Sequence, residues 1–467
     1  MNDFFIYTPL YRHQASAVDK LSRLKVAGLF MDMGTGKTLT AFSWIKRKVE
    51  KISRVIWCCP AALMDMARSE LLKHTDCNAS DICVVDRRIT EQCLPKASWI
   101  IVSLEGIGSS ARIACAMYAL VDERTCMVID ESSYIKGWNA KRTRRCIALG
   151  KICRYRMILT GTPISQGIED IFSQFYFLSY KILGYESWYT FARRHLVYDQ
   201  RYRGRIVNRL GISSVTEKIA PYVYQVRKDE CLDLPQKSFN WFVGDLTSDQ
   251  RKAYAAVKEL FWNDLSDQPE DGGIAVYKLF SRLQSVACGR WPSPLGTGLM
   301  DSRRTELLLR ALCHLPRDAH VIIWAHYQDN VDDISRMILN EGRRSVQLTG
   351  QSSPAQRTLL LAEWRERGGP LIATLGAGGH GLTLTEAHHV FFFSNSFKYS
   401  ERAQAEDRCH RIGQRQNVHY TDIWLDCGIE YRIRDAIKRK GDAVMTFREQ
   451  IARMRDRKSI RTLVNSL

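Results

Sequence analysis

The stretch Phe30–Phe42, FMDMGTGKTLTAF, sets two glycines, a lysine and a threonine between an apolar run and an amphipathic one. Val26 to Met31 is short and largely apolar, as a buried strand requires, and Leu39, Phe42, Ile45 and Val49 recur at helical spacing. The glycines therefore fall at a strand-to-helix turn. Gly34 and Gly36 lack a Cβ and let the backbone approach an anion, while the first amides of the new helix offer free donors to it. Lys37 supplies a point charge for β and γ phosphates, and Thr38 a hydroxyl for magnesium. The pattern G-x-x-x-x-G-K-[ST] asks for glycine where this chain has Met31, so only the second half of it is present. Gly34, Thr35, Gly36, Lys37 and Thr38 form the expected phosphate cradle. A glycine-rich turn carrying a surface lysine is the plainer alternative, but it leaves the strand and helix on either side unexplained.

Outward from this loop, apolar strand candidates recur with helical segments between them: VAGLFM, RVIWCCP (Arg54 to Pro60), WIIVSLE (Trp99 to Glu105), TCMVIDE (Thr125 to Glu131) and YRMILTGTP (Tyr155 to Pro163). Continuous apolar strands alternating with helices indicate a parallel sheet covered on both faces. A second series follows: HVIIWAHY (His320 to Tyr327), SVQLTG (Ser345 to Gly350), PLIATLG (Pro370 to Gly376), HVFFFSN (His389 to Asn395) and VHYTDIWL (Val418 to Leu425). The expected organisation is an N-terminal α/β lobe over 1–227, a crossover with a helical segment over 228–300, a second α/β lobe over 301–445, and a basic, helical tail over 446–467. The segment 172–227 reads as a helical insertion, aromatic and basic, in which interleaved Arg and Tyr suit stacking and phosphate contact as well as a solvated surface.

With 467 residues the chain exceeds one ordinary core, and an apolar fraction of 45% beside a charged fraction of 25% is that of a soluble globular protein. No apolar run approaches a membrane span and the N-terminus has no signal-peptide pattern, so a cytoplasmic protein without membrane contact is expected, nuclear if the source is eukaryotic. The 14 cysteines show no C-x-x-C spacing and read as reduced packing residues. A metal site built from His388, His389 and scattered cysteines has no ligand spacing to support it. The formal net charge of +18 points to a polyanionic partner, since lysines and arginines that neutralise phosphates gain affinity by counterion release.

Two further clusters complete the chemistry. Asp130 and Glu131 end an apolar strand, where open α/β sheets bind ligands, so these carboxylates are expected beside Lys37. One holds magnesium through a water and the other orients and deprotonates an attacking water. In the second lobe, QAEDRCHRIGQ (Gln404 to Gln414) carries Arg408 and Arg411 three apart, expected on one helix face. Two guanidiniums from a separate lobe suit the charge that develops on a γ-phosphate in the transition state.

In order, YRHQ, DMGTGKT, CCPAALMDMARSE, IVSLEGI, DESSYIK, LTGTPIS, GAGGHGLTLTEA and QAEDRCHRIGQ resemble the Snf2-like group of superfamily 2 helicase-type ATPases. The resemblance runs from Tyr11 to about Gln416, and HRIGQ is its sharpest piece. It implies two tandem RecA-like lobes with ATP and Mg2+ in the cleft between them. Gln14 would read the adenine, and Lys37 and Thr38 would hold phosphates and metal. Asp130 and Glu131 would serve metal and water. Thr160 and Thr162 would couple the nucleotide to the nucleic-acid path. Gly381 and Gln404 would close the cleft, with Arg408 and Arg411 as fingers. The departures are DESS where the family commonly has DEAH, Gln166 where asparagine is usual, and Phe397–Tyr399 in place of Trp-Asn-Pro. The histidine contact is therefore expected to be absent or replaced through Ser133.

The expected activity is that of an ATP-dependent translocase on duplex DNA, recognised without regard to sequence. The alternative is a strand-separating or branch-migrating helicase using the same ATPase, and a third is a nucleic-acid-binding module with a vestigial ATPase. The lobes leave little room for accessory domains, which suits a bacterial, viral or mobile-element protein. An unidentified protein partner would have only the 172–227 insertion and the basic tail to dock on.

Overall fold

The computed structural model describes residues 3–86, 88–90, 94–161, 163, 167–199, 206–267, 272–293, 296–378, 382–444, 446–447, 450 and 457–467. The chain divides into two compact units, Met1–Asp233 and Leu234–Leu467.

In the first unit, β1 (Val26–Met31), β2 (Arg54–Cys59), β3 (Ile82–Val84), β4 (Trp99–Ser103), β5 (Thr125–Asp130) and β6 (Tyr155–Thr160) join a later strand in one parallel sheet. Between β6 and that strand, β7 (Leu196–Tyr198) and β8 (Ile206–Arg209) make a separate antiparallel pair. The later strand, β9 (Val223–Val226), pairs with β1. The sheet order is β3-β4-β2-β5-β6-β1-β9. The expected helical insertion over 172–227 therefore contains a hairpin and an edge strand of the main sheet. Val223 and Val226 supply that strand's buried positions, because its neighbour β1 is otherwise left with a bare edge.

Alternation along the strands assigns the two faces. Phe30, Ile56, Cys58, Ile100, Val102, Met127, Ile129 and Ile158 enter one apolar cluster. Their neighbours Leu29, Met31, Val55, Trp57, Ile101, Val128 and Leu159 enter another. Successive side chains point to opposite faces, so two clusters mean two covered faces, as continuous apolar strands predict. The helix Lys37–Lys46 packs its buried Phe42 against Trp57 and Trp99, ring centroids 5.3 and 5.5 Å apart. It stops at Lys46, so Val49 falls in a separate 3-10 turn rather than continuing the helical stripe.

The second unit has β10 (Lys237–Gly244), β13 (Val321–Ala325), β14 (Val346–Leu348), β15 (Pro370–Thr374), β16 (His389–Phe392) and β17 (Val418–Leu425), all parallel, in the order β10-β17-β16-β13-β15-β14. Between β10 and β13, β11 (Arg290–Ser293) and β12 (Gly296–Leu299) form a hairpin. Alternation again separates Ile322, Trp324, Leu371 and Phe392 from Val321, Ile323, Ile372 and Phe391. Below one end, the helices Ser248–Asp267, Gly272–Ala287 and Gly428–Lys438 enclose a further cluster, which also takes Phe397, Val464 and Leu467. The basic tail thus ends docked: Tyr254 Oη donates to the Leu467 carbonyl at 2.5 Å and Lys258 Nζ to that of Asn465 at 3.0 Å. Among the described residues, no helix is long and apolar enough to cross a membrane.

Candidate active site

Parallel pairing brings the expected residues of the first unit together. Phe30 lies beside Thr160 and Leu159 beside Asp130, so the carboxyl ends of β1, β6 and β5 stand side by side. The glycine-rich loop leaves β1, the acidic pair leaves β5, and the wholly buried Thr160 ends the strand between them.

The loop is held from several directions. Gly34 and Gly36 adopt φ of 76° and 84°, the left-handed region that glycine enters at least cost. Backbone conformation favours glycine at Gly36, and a Cβ there, 2.0 Å from Gln14 Nε2, would also make that side chain shift. Gln14, buried on the helix Arg12–Leu21, accepts from the Tyr11 amide at 2.9 Å and donates to the Thr35 carbonyl at 3.1 Å. His13 Nε2 reaches that same carbonyl at 2.9 Å. Asp32, first residue of the loop, accepts from the Lys228 amide at 2.9 Å, and its own amide donates to the Val226 carbonyl at 3.2 Å. The bracing by His13 and by residues 226–228 was not legible in the sequence, because neither lies in a phosphate-binding motif.

Lys37 opens the helix and curls back, Nζ donating to the carbonyls of Met31 at 2.9 Å and Asp32 at 3.1 Å. The ammonium therefore sits at the strand end, where a phosphate oxygen would replace neutral carbonyls with a stronger, charge-assisted partner. Thr38 follows, half-buried, in the first turn. Burial pushes the Asp130 carboxyl up to about 7; the neighbouring Glu131 adds to the rise and Lys37 opposes it. Glu131 is held at φ 55°, left-handed backbone in a residue that pays for it, as strained positions at reactive sites commonly do. The glycine cradle, an ammonium, a hydroxyl and a half-buried carboxylate form a donor set that fits a magnesium–nucleoside triphosphate. In the DESS stretch the Ser132 hydroxyl, wholly buried, donates to Gln174 Oε1 at 2.6 Å.

The second unit holds the remaining residues. Gln404 lies half-buried on the helix Tyr399–Glu406. Arg408 and Arg411 do not share a helix face, since that helix ends at Glu406. The Glu406 carbonyl accepts from Tyr420 Oη at 2.7 Å and from the His410 amide at 3.2 Å, and the Arg408 carbonyl from the Leu384 amide at 2.9 Å. Beyond Glu406 the chain continues as a turn. The two guanidiniums still converge: Arg408 Nη1 and Arg411 Nη1 donate to the one Leu382 carbonyl, at 3.3 and 3.2 Å. Gln414 fastens this loop by donating to the carbonyls of Thr385, Ala387 and Cys409 at 3.1, 3.0 and 3.3 Å. His410 Nε2 pairs with the Pro235 carbonyl at 2.8 Å. Phe397, in place of tryptophan, is a core residue against Phe280, ring centroids 5.7 Å apart. Thr162, Gln166 and Gly381 lie outside the described residues.

The family description SNF2-related domain matches residues 13–282, and helicase conserved C-terminal domain matches residues 304–413. An uncharacterized ATP-dependent helicase of Mycoplasma pneumoniae is 24% identical over 444 residues, 91% of this chain and 41% of the relative. The DNA annealing helicase and endonuclease ZRANB3 of Homo sapiens is 26% identical over 311 residues, 63% of this chain and 27% of the relative. This chain therefore corresponds to less than half the length of either. The SWI2/SNF2 ATPase core of Sulfolobus solfataricus, solved in complex with dsDNA, is 20% identical with a TM-score of 0.46, covering 94% of this chain and 93% of that one.

Proposed function

Because this chain belongs to the SNF2-related domain family, we propose that it is an ATP-driven motor that tracks along duplex DNA and remodels DNA or protein–DNA complexes. The observation that carries the reading is the side-by-side placement of the Lys37 loop, Thr160 and the Asp130–Glu131 pair at the carboxyl ends of adjacent strands. ATP is the substrate. Lys37 and the loop amides hold its phosphates, Gln14 serves the adenine end, and Thr38 and Asp130 hold Mg2+, Asp130 through a water. The metal neutralises phosphate charge. Glu131 orients the attacking water and takes its proton. Arg408 and Arg411 stabilise charge on the transferred phosphoryl group, and Thr160 with Thr162 links turnover to DNA. Gly381 and Gln404 belong to the same cycle in the second unit. The net charge of +18 supports a phosphate-reading, sequence-independent grip.

Steady-state ATP hydrolysis, measured alone and with duplex DNA, single-stranded DNA or RNA, tests this. Strong stimulation by duplex is expected, and Lys37→Ala is expected to reduce turnover to background while still binding DNA. Hydrolysis preserved in Lys37→Ala removes the loop from the reaction, and stimulation by single strands alone replaces the translocase with a strand-separating helicase. Arg411→Ala is expected to lower kcat by about 100-fold or more with little change in nucleotide affinity, since a finger acts in the transition state. A loss confined to affinity would remove that role.

A further inference from the structure

Helix Glu169–Leu178 buries one amide among apolar side chains. Gln174 is fully inaccessible, flanked by the buried Ile171, Phe172, Phe175 and Leu178. Its Oε1 accepts from Ser132 Oγ at 2.6 Å, and its Nε2 donates to the Pro163 carbonyl at 2.9 Å and to the Asp170 carbonyl at 2.8 Å. Ser132 stands two residues beyond Asp130, and Pro163 three beyond Thr160. One side chain therefore bonds both the loop that follows the carboxylates and the segment that follows Thr160. The preceding residue extends the clasp: Ser173 Oγ donates to the Lys136 carbonyl at 2.6 Å. Between them the two side chains hold both ends of the short turn Ser132–Ile135.

A buried amide is costly unless satisfied, and a leucine of similar volume would fill the space with no such demand. What the amide adds is direction. Its bonds fix the distance between two loops, and neither can shift without leaving a buried polar atom unpaired. We propose that Gln174, with Ser132, is a positioning pair that couples the Asp130–Glu131 loop to the segment after Thr160, so that stimulation by DNA passes through this bridge. The inference rests on the motor reading above.

The test is the double variant Ser132→Ala/Gln174→Leu, which removes the Ser132–Gln174 pair together and keeps the packing, while the Pro163 and Asp170 carbonyls lose their Nε2 donor. Its thermal melting is expected to stay near wild type. Hydrolysis without DNA is expected to stay within about twofold, and duplex affinity by fluorescence anisotropy to be unchanged, while the fold stimulation by duplex drops by about tenfold. A purely structural role predicts that this variant, once stable, is stimulated like wild type, and that result overturns the proposal. Ser132→Ala alone, which removes a single hydroxyl, is the second probe: several-fold loss of stimulation is expected, and full stimulation overturns the proposal as well. Failure of the motor reading is visible separately, because wild type would then show no stimulation, and the bridge would have nothing to couple.

Discussion

At the scale of single residues, the site depends on positions where one atom more is too many. Gly36 combines φ 84° with a Cβ position 2.0 Å from Gln14 Nε2. In Gly36→Ala the methyl must displace the amide that braces the loop, and left-handed backbone adds roughly 1–2 kcal/mol for a residue with a Cβ. Affinity for a fluorescent ATP analogue is expected to fall at least tenfold, with a lowered melting temperature but a cooperative transition. Unchanged affinity would show that the loop tolerates a shifted Gln14. Glu131 shows the converse: a residue whose chemistry outweighs its conformational cost occupies backbone that glycine would adopt freely.

At the scale of elements, the amino ends of β16 and β17 gather imidazoles. The His389 ring stacks 5.2 Å from that of His419 and lies 4.6 Å from that of His388, while His419 Nδ1 pairs with Ser238 Oγ at 2.7 Å. Burial, reinforced by His388 and His419, pushes His389 down from 6.5 to about 4. Between those values the unfolded chain binds more protons than the folded one, so stability rises with pH through this window and is lost as pH falls through it. Urea unfolding midpoints are expected to drop between pH 6.5 and 4. His389→Gln is expected to lessen that slope by on the order of 1 kcal/mol, discounted for partial exposure of the ring. Equal slopes in variant and wild type would place the acid sensitivity elsewhere. The helix after Lys398 teaches a related point. Spacing alone put Arg408 and Arg411 on a helix, yet the helix ends at Glu406 and the chain continues as a turn, whose Arg408 carbonyl accepts from the Leu384 amide.

At the scale of the molecule, each unit has its own apolar clusters on both faces of its own sheet. Fragments 1–233 and 234–467 are therefore expected to fold separately, each with a cooperative melt. On the proposed function neither alone hydrolyses ATP, since Lys37, Asp130 and Glu131 lie in one and Arg408 and Arg411 in the other. Turnover by fragment 1–233 at the full chain's rate would remove the arginines from the chemistry.

Much of this was legible in local pattern. The inner strands of both central sheets are continuous apolar runs, and two-residue alternation then dictates two covered faces, so the α/β class follows from sequence and elementary sterics. The glycine-rich turn between β1 and the helix after it was legible for the same reason, since its strand, glycines and helix lie within a few residues of one another. Edge strands β3, β9 and β10 were not: β3 has only three residues, and β10 is largely exposed, its eight-residue pairing with β17 joining positions nearly two hundred residues apart. Nor were the convergence of Arg408 and Arg411 on Leu382, the brace from His13, or the amide of Gln174 spanning Ser132 and Pro163. Each of these is a hydrogen bond between segments distant in sequence. Residue order alone determined the inner strands, the α/β class and which groups carry charge; only the packed chain decided the edge strands, where the helix before Arg408 ends, and which carbonyls and hydroxyls those groups meet, because these depend on where other elements have already taken up the available space and partners.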